Sequence, residues 1–231
     1  MKILYEDKDI VIAEKPVNIP TQADQSGDED MVSLLKKHYG DDDVYIGLHH
    51  RLDRNVGGLL AFAKTKLGNK TLSDQIQNRS IEKNYLAVVC GSPSLKSGEL
   101  RNYIKKLGSR NVSKVVSKST HGGKLAVLKY TVLETIETDA FGILSLLKIT
   151  LETGRHHQIR IQLAHEGVPI VGDSKYNTLR IPNVKSLDLS LWAYQLRFRT
   201  VDQKMMTCYS TPTEHDGFNY FEKLLNEINK A

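Results

Sequence analysis

His50-Arg51-Leu52-Asp53-Arg54-Asn55-Val56-Gly57-Gly58 runs directly into Leu59-Leu60-Ala61-Phe62-Ala63, so a charged loop opens onto an unbroken apolar run. Such a run reads as a strand buried on both faces, which places Asp53 on a loop leading into that strand. Two arginines bracket the carboxylate, and cations close to an acid favour its ionised form. An ionised, positioned acid suits a nucleophile or a base. Gly57 and Gly58 carry no side chain, so another backbone or a ligand can come close.

Working outward, residues 10–13 form a compact apolar strand that ends at Lys15-Pro16, and residues 24–30 are a polar, acidic surface loop. Met31, Leu34, Leu35 and His38 have helical spacing over residues 31–39, with Gly40 placed to stop the helix. A second helix is predicted over residues 66–77, with Leu72 and Ile76 on one face, followed by a strand over 85–89. Further strands are expected at 124–133, 143–151 and 189–198. Residues 157–166 read as a helix closed by Gly167, in which His157, Arg160 and Ala164 share a face. Residues 216–229 read as an amphipathic helix that packs through Phe218, Phe221, Leu224, Leu225 and Ile228. The expected fold class is α+β: a single catalytic domain over residues 1–231 with a largely antiparallel mixed sheet flanked by helices and loops.

The chain has 231 residues, 40% of them hydrophobic, enough for a substantial core, and a formal charge of +5. That excess alone does not decide between an ordinary soluble protein and one with a polyanionic partner. Between residues 101 and 129, Arg101, Lys105, Lys106, Arg110, Lys114, Lys118, Lys124 and Lys129 occur with no acid among them. Alternation around Val112, Val115 and Val116 suggests extended hairpins with basic outer faces. Lysines on a sheet edge discourage unwanted strand pairing; they also serve phosphate contact. Cys90 and Cys208 form no CxxC pair, which argues against a disulfide scaffold or zinc site. Acids at positions 6, 7 and 9 leave no apolar core for a signal peptide, and no stretch is apolar for the length of a bilayer. The expected location is cytoplasmic, without membrane attachment.

A second chemical cluster is Gly154-Arg155-His156-His157-Gln158-Ile159-Arg160. Adjacent histidines, here and at His49-His50, invite a metal reading. Sequence neighbours point in different directions, however, and neither pair has the i, i+4 spacing of a helical zinc motif. Hydrogen bonding and phosphate contact are the more natural uses, and neither metal nor cofactor is expected.

Taken in order, His50-Arg51-Leu52-Asp53 with Gly58 and Ala63-Lys64, then Lys83-Asn84-Tyr85-Leu86-Ala87, then residues 154–160, then Pro169-Ile170-Val171-Gly172-Asp173-Ser174-Lys175-Tyr176, resemble the successive motifs of the RluA family of RNA pseudouridine synthases. The likeness runs from about residue 9 to about residue 199. It implies a cofactor-independent isomerase that converts uridine in RNA to pseudouridine, with Asp53 as the essential carboxylate. It implies further that Tyr85 stacks on the flipped base and helps move a proton, for which ring and phenol both suit. By the same resemblance Arg160 pairs with the catalytic carboxylate, and Arg51 fills the space of the extruded base. His50, Arg155, His157 and Gln158 are the expected substrate-binding residues.

The chain departs from the family pattern at several points. Arg54-Asn55-Val56-Gly57-Gly58 stands where a basic residue, an acid and Thr-Ser-Gly are usual, so two hydroxyls are missing. His156 stands for Thr, Gln162 for His and Asn177 for Gly. The chain also begins too near its first motif to hold the small N-terminal RNA-binding domain of many relatives, which gives weight to residues 101–129 as an RNA surface. A stem-loop of ribosomal or transfer RNA is the expected substrate and a monomer the default state. A noncatalytic RNA-binding or ribosome-assembly protein on the same fold is the alternative. A glycoside hydrolase is disfavoured, because that chemistry needs two flanking acids and only Asp53 has a suitable setting.

Overall fold

The structure is a computed structural model that describes residues 1–108, 111–179, 187–212, 215 and 217–228. In chain order, β1 (Lys2–Glu6) and β2 (Ile10–Lys15) precede α1 (Met31–Tyr39), and β3 (Gly47–Leu48) and β4 (Gly57–Ala63) precede α2 (Lys66–Gln77). There follow β5 (Glu82–Cys90), β6 (Ser97–Leu107), β7 (Val112–Val116), β8 (Lys124–Thr138) and β9 (Gly142–Leu151). The remainder is α3 (Gln158–His165), β10 (Leu191–Arg199), β11 (Met205–Tyr209), a 3-10 turn (Phe218–Phe221) and α4 (Glu222–Ile228). Among the described residues no helix is long and apolar enough to cross a membrane.

The chain divides into two compact units, one of residues 1–83 with 192–212 and one of 84–191 with the described part of 213–231. In the first, β4 is buried along its whole length, as its continuous apolar sequence requires. It pairs antiparallel with β2 on one side; on the other, β3 takes its Phe62–Ala63 end and β10 runs parallel to Gly57 and Gly58. Ile10, Ile12, Leu59, Ala61, Leu72, Leu196 and Phe198 form a shared core. Local signals set the helix ends. Asp30 caps α1 by accepting from the N–H groups of Val32 and Ser33, and Gly40 closes it at φ 66°.

In the second unit β5, β9, β8, β6 and β7 lie side by side, all antiparallel. The sheet is thus mixed and largely antiparallel, as expected. Two helix boundaries differ from the sequence reading. α3 begins at Gln158, because His157 sits in the left-handed region at φ 54° and cannot continue a helix. The C-terminal segment is a 3-10 turn followed by a short helix rather than one amphipathic helix, and residues 216 and 229 lie outside the described residues. Its Phe218, Phe221 and Leu225 are buried as expected.

Candidate active site

Asp53 opens a tight turn, closed by the Val56 N–H donating to its carbonyl at 3.0 Å, and that turn feeds β4. The main chain is gripped on both sides of it. Before Asp53, the buried Thr21 hydroxyl donates to the Leu52 carbonyl at 3.0 Å and accepts the Leu52 N–H at 3.2 Å. After it, Lys15 Nζ donates to the Arg54 carbonyl at 2.9 Å, and also to Pro16 at 2.8 Å and Ile19 at 2.7 Å. Those three carbonyls match the three donors of an ammonium. Lys15 is fully buried, and burial pushes its pKa down to about 7 against the opposing pull of the Asp53 carboxylate. The residues holding the Asp53 loop therefore include Thr21 and Lys15, neither of which the sequence reading assigned to the site. The Lys15-Pro16 strand end was their only signal.

The expected pair of arginines around Asp53 is not what forms. Arg54 turns to the acidic 24–28 loop, where it pairs with Asp28, reaches the Ser26 hydroxyl at 3.0 Å and donates to the Asn18 carbonyl at 3.2 Å. Its guanidinium holds the Asp28 carboxyl below the usual carboxylate range. Arg54 is a long side chain on an exposed turn, and the acids it meets are Asp24 and Asp28 of that loop. Arg51 is exposed and has no ion-pair partner among the described residues. His50 faces inward, its Nε2 accepting the Ala61 N–H of β4 at 3.2 Å, so the neutral ring carries its proton on Nδ1. Burial, then the charge of Lys83, lowers its pKa to about 3.

The glycine pair has a steric reason. A Cβ on Gly57 would lie 2.1 Å from the Trp192 ring, and one on Gly58, at φ 110°, 2.3 Å from the Ala193 carbonyl. Trp192 is held by its indole N–H, which donates to the Ser210 carbonyl at 3.1 Å and hydroxyl at 3.0 Å. An indole thus fills the space that a serine side chain at position 57 would need, which accounts for that departure from the family pattern.

The remaining candidates lie in the second unit. Tyr85 is buried on β5 opposite Ile149. Arg160, buried on α3, forms a two-pronged pair with Asp173: Nε donates to Oδ2 and an Nη to Oδ1, both at 2.8 Å. Asp173 also accepts the N–H groups of Lys175 and Tyr176. Tyr176 lays its ring over the Arg160 guanidinium at 5.3 Å, and its hydroxyl bonds His157 Nδ1 at 2.8 Å. His156 stacks on His157 with ring centroids 3.8 Å apart and bonds the Ser113 hydroxyl at 2.9 Å. Arg155 donates through Nε to the Leu125 carbonyl at 2.9 Å. The Gln158 amide oxygen accepts from the Thr153 hydroxyl and the Arg155 N–H, and its nitrogen donates to the Val127 carbonyl. Asp173 is a site residue that appeared in the sequence only as part of a motif.

In the basic stretch, Arg101 pairs with Glu99 and Lys129 with Glu152, while Arg110 lies outside the described residues. Lys105, Lys106, Lys114, Lys118 and Lys124 have no carboxylate partner among the described residues.

Residues 9–165 match the family model described as RNA pseudouridylate synthase. A ribosomal large subunit pseudouridine synthase C of Rickettsia felis is 34% identical over 181 residues, 78% of this chain and 57% of that protein. A ribosomal large subunit pseudouridine synthase D of Pseudomonas aeruginosa is 34% identical over 195 residues, 82% of this chain and 58% of that protein. The chain therefore spans somewhat more than half the length of these curated relatives. Among solved structures, human RNA pseudouridylate synthase domain containing 1 superposes with a TM-score of 0.76 at 19% identity, covering 97% of this chain and 94% of that one. That likeness establishes the fold.

Proposed function

Because the chain belongs to the RNA pseudouridylate synthase family, we propose that it isomerises specific uridines of ribosomal RNA to pseudouridine with Asp53 as the catalytic carboxylate. The observation that carries this is the grip on both sides of Asp53, where Thr21 holds Leu52 and Lys15 holds the Arg54 carbonyl. A catalytic acid on a loop needs such preorganisation, because a small misplacement of a reacting group costs rate steeply. The names of the relatives, ribosomal large subunit pseudouridine synthases, favour ribosomal over transfer RNA.

The reaction is an isomerisation without redox change. The bond from ribose to the ring nitrogen breaks, the base turns, and the ribose carbon bonds to a ring carbon that gives up its proton while the nitrogen takes one up. Asp53 acts on the uridine as an ionised group, and Tyr85 supplies a stacking ring and a phenol for the proton. Arg160 keeps the role the resemblance gives it, a cation that favours the charged carboxylate. The uridine is taken out of the stack before it reacts, and the exposed Arg51 is the residue to occupy its place. His50, Arg155, His157 and Gln158 keep the substrate-binding role that the resemblance gives them.

The test is to map pseudouridines in ribosomal and transfer RNA from cells carrying the wild-type gene, no gene, or Asp53→Asn. One or more ribosomal sites should vanish without the gene and return with wild type but not with Asp53→Asn. Unchanged ribosomal sites together with a lost transfer-RNA site would reassign the substrate; no lost site in either would overturn the reaction.

A further inference from the structure

A cavity of about 400 Å³ lies between β7 and α3, outside the residues assigned to the reaction. Apolar residues line it from both elements: Val112 and Val115, on opposite faces of the edge strand β7, and Ile161 and Ala164, three residues apart and so on one face of α3. Its rim is basic, with Lys114, Lys175 and His165. Lys175 Nζ donates to the Asn111 carbonyl at 2.8 Å, which fixes the ammonium and leaves two of its three donors. Lys114 stands directly across the ladder from Lys105, and neither has a carboxylate partner among the described residues. Like charges in that register destabilise a strand pair, and a bound anion relieves them.

The wall of the cavity is built rather than loose. Ser113 turns its N–H off the edge of the sheet to the Tyr176 hydroxyl at 2.7 Å, and the two-residue strand period turns the Val115 N–H the same way. Tyr176 is in turn braced by His157 and Arg160. An extended acidic peptide adding a strand to β7 would need the Ser113 amide, which Tyr176 already holds. A flat base needs only apolar side chains, and its phosphate only the cations at the rim.

We propose that this cavity is a nucleotide subsite for single-stranded RNA, taking a base against Val115, Ile161 and Ala164 and its phosphate on Lys114 and Lys175. The inference rests on the RNA-modifying reading above and extends it to positions that the chemistry does not use. Apolar contact with the base together with phosphate contact gives the subsite affinity without strict sequence choice.

The test uses the full chain and a uridine oligomer, measured by fluorescence anisotropy for wild type, Ala164→Trp, which fills the cavity, and Lys114→Glu at the exposed rim. Affinity should fall about tenfold in Ala164→Trp and about fivefold in Lys114→Glu. A 5-iodouridine oligomer should crosslink to the peptide containing Tyr176. Unchanged affinity in either folded variant, or crosslinks confined to other peptides, would overturn the subsite; if Ala164→Trp does not fold, Lys114→Glu decides. A polyglutamate peptide whose binding is sensitive to Ala164→Trp, beside oligomer binding that is not, would reassign the cavity to an acidic peptide and equally overturn it. Failure of the reaction reading looks different: no pseudouridine forms, while oligomer binding keeps its dependence on positions 164 and 114. Pseudouridine formation with no effect of either variant on affinity defeats the subsite alone.

Discussion

The Asp53 turn and the Arg160 cluster are held in opposite ways. Around Asp53 the grip is on main chain: Thr21 takes both polar groups of Leu52, and Lys15 takes the carbonyl of Arg54. Around Arg160 the contacts run from side chain to side chain, through Asp173, Tyr176 and His157. A turn held by its backbone keeps its shape whatever side chain it presents, so position and chemistry are separable there. In a buried ion pair they are not, because removing one partner strands the other's charge.

The largest effect should come from breaking that contrast at its buried end. Asp173→Asn replaces the two-pronged carboxylate partner of buried Arg160 by a neutral amide and should cost about 3–5 kcal/mol in urea unfolding. Asp53→Asn should cost less in the same assay while abolishing turnover, because the hydrogen bonds that hold its turn run to main chain. Comparable losses in the two variants would end the distinction.

Next, Lys15→Met removes the donor from three carbonyls and should cost about 3 kcal/mol, with turnover falling as the turn loosens. The wild type also carries a pH signature here. Burial holds the Lys15 pKa near 7, below its ordinary 10.5, so between those values the unfolded chain binds the extra proton. Stability should therefore rise with pH across that window, and Lys15→Met should lose this part of the slope.

Smaller again, Gly57→Ser pushes a Cβ into the Trp192 ring and should cost about 1–3 kcal/mol. Adding Trp192→Leu should recover part of the loss, a non-additivity that a double-mutant cycle measures. An effect confined to acid pH belongs to His50, whose pKa is lowered from 6.5 to about 3. Its contribution is fully present above pH 6.5 and is lost as pH falls toward 3, so His50→Gln should flatten that part of the acid limb of the stability profile.

Much of the framework was legible from local pattern. Asp30 and Gly40 end α1 where capping and left-handed preference place them, and the apolar run after Gly58 is the buried strand β4. Asp53 on a loop into that strand followed from the same run. His157 misled because helical spacing continues through it, while its own backbone at φ 54° lies outside the helix. The two arginines beside Asp53 misled for another reason: adjacency in sequence says nothing about which acid a long side chain reaches, and Arg54 reaches Asp28.

The sequence by itself determined the main helices and strands, the loop position of Asp53 and the family motifs, because periodicity, capping and turn chemistry act within a few residues. Only the tertiary structure decided that Lys15 and Thr21 hold the Asp53 turn, that Arg160 is paired with Asp173, and that Trp192 occupies the space over Gly57. Those are choices of partner between distant residues, and they depend on burial: a charge or a large ring removed from water must meet whatever group the folded chain brings beside it.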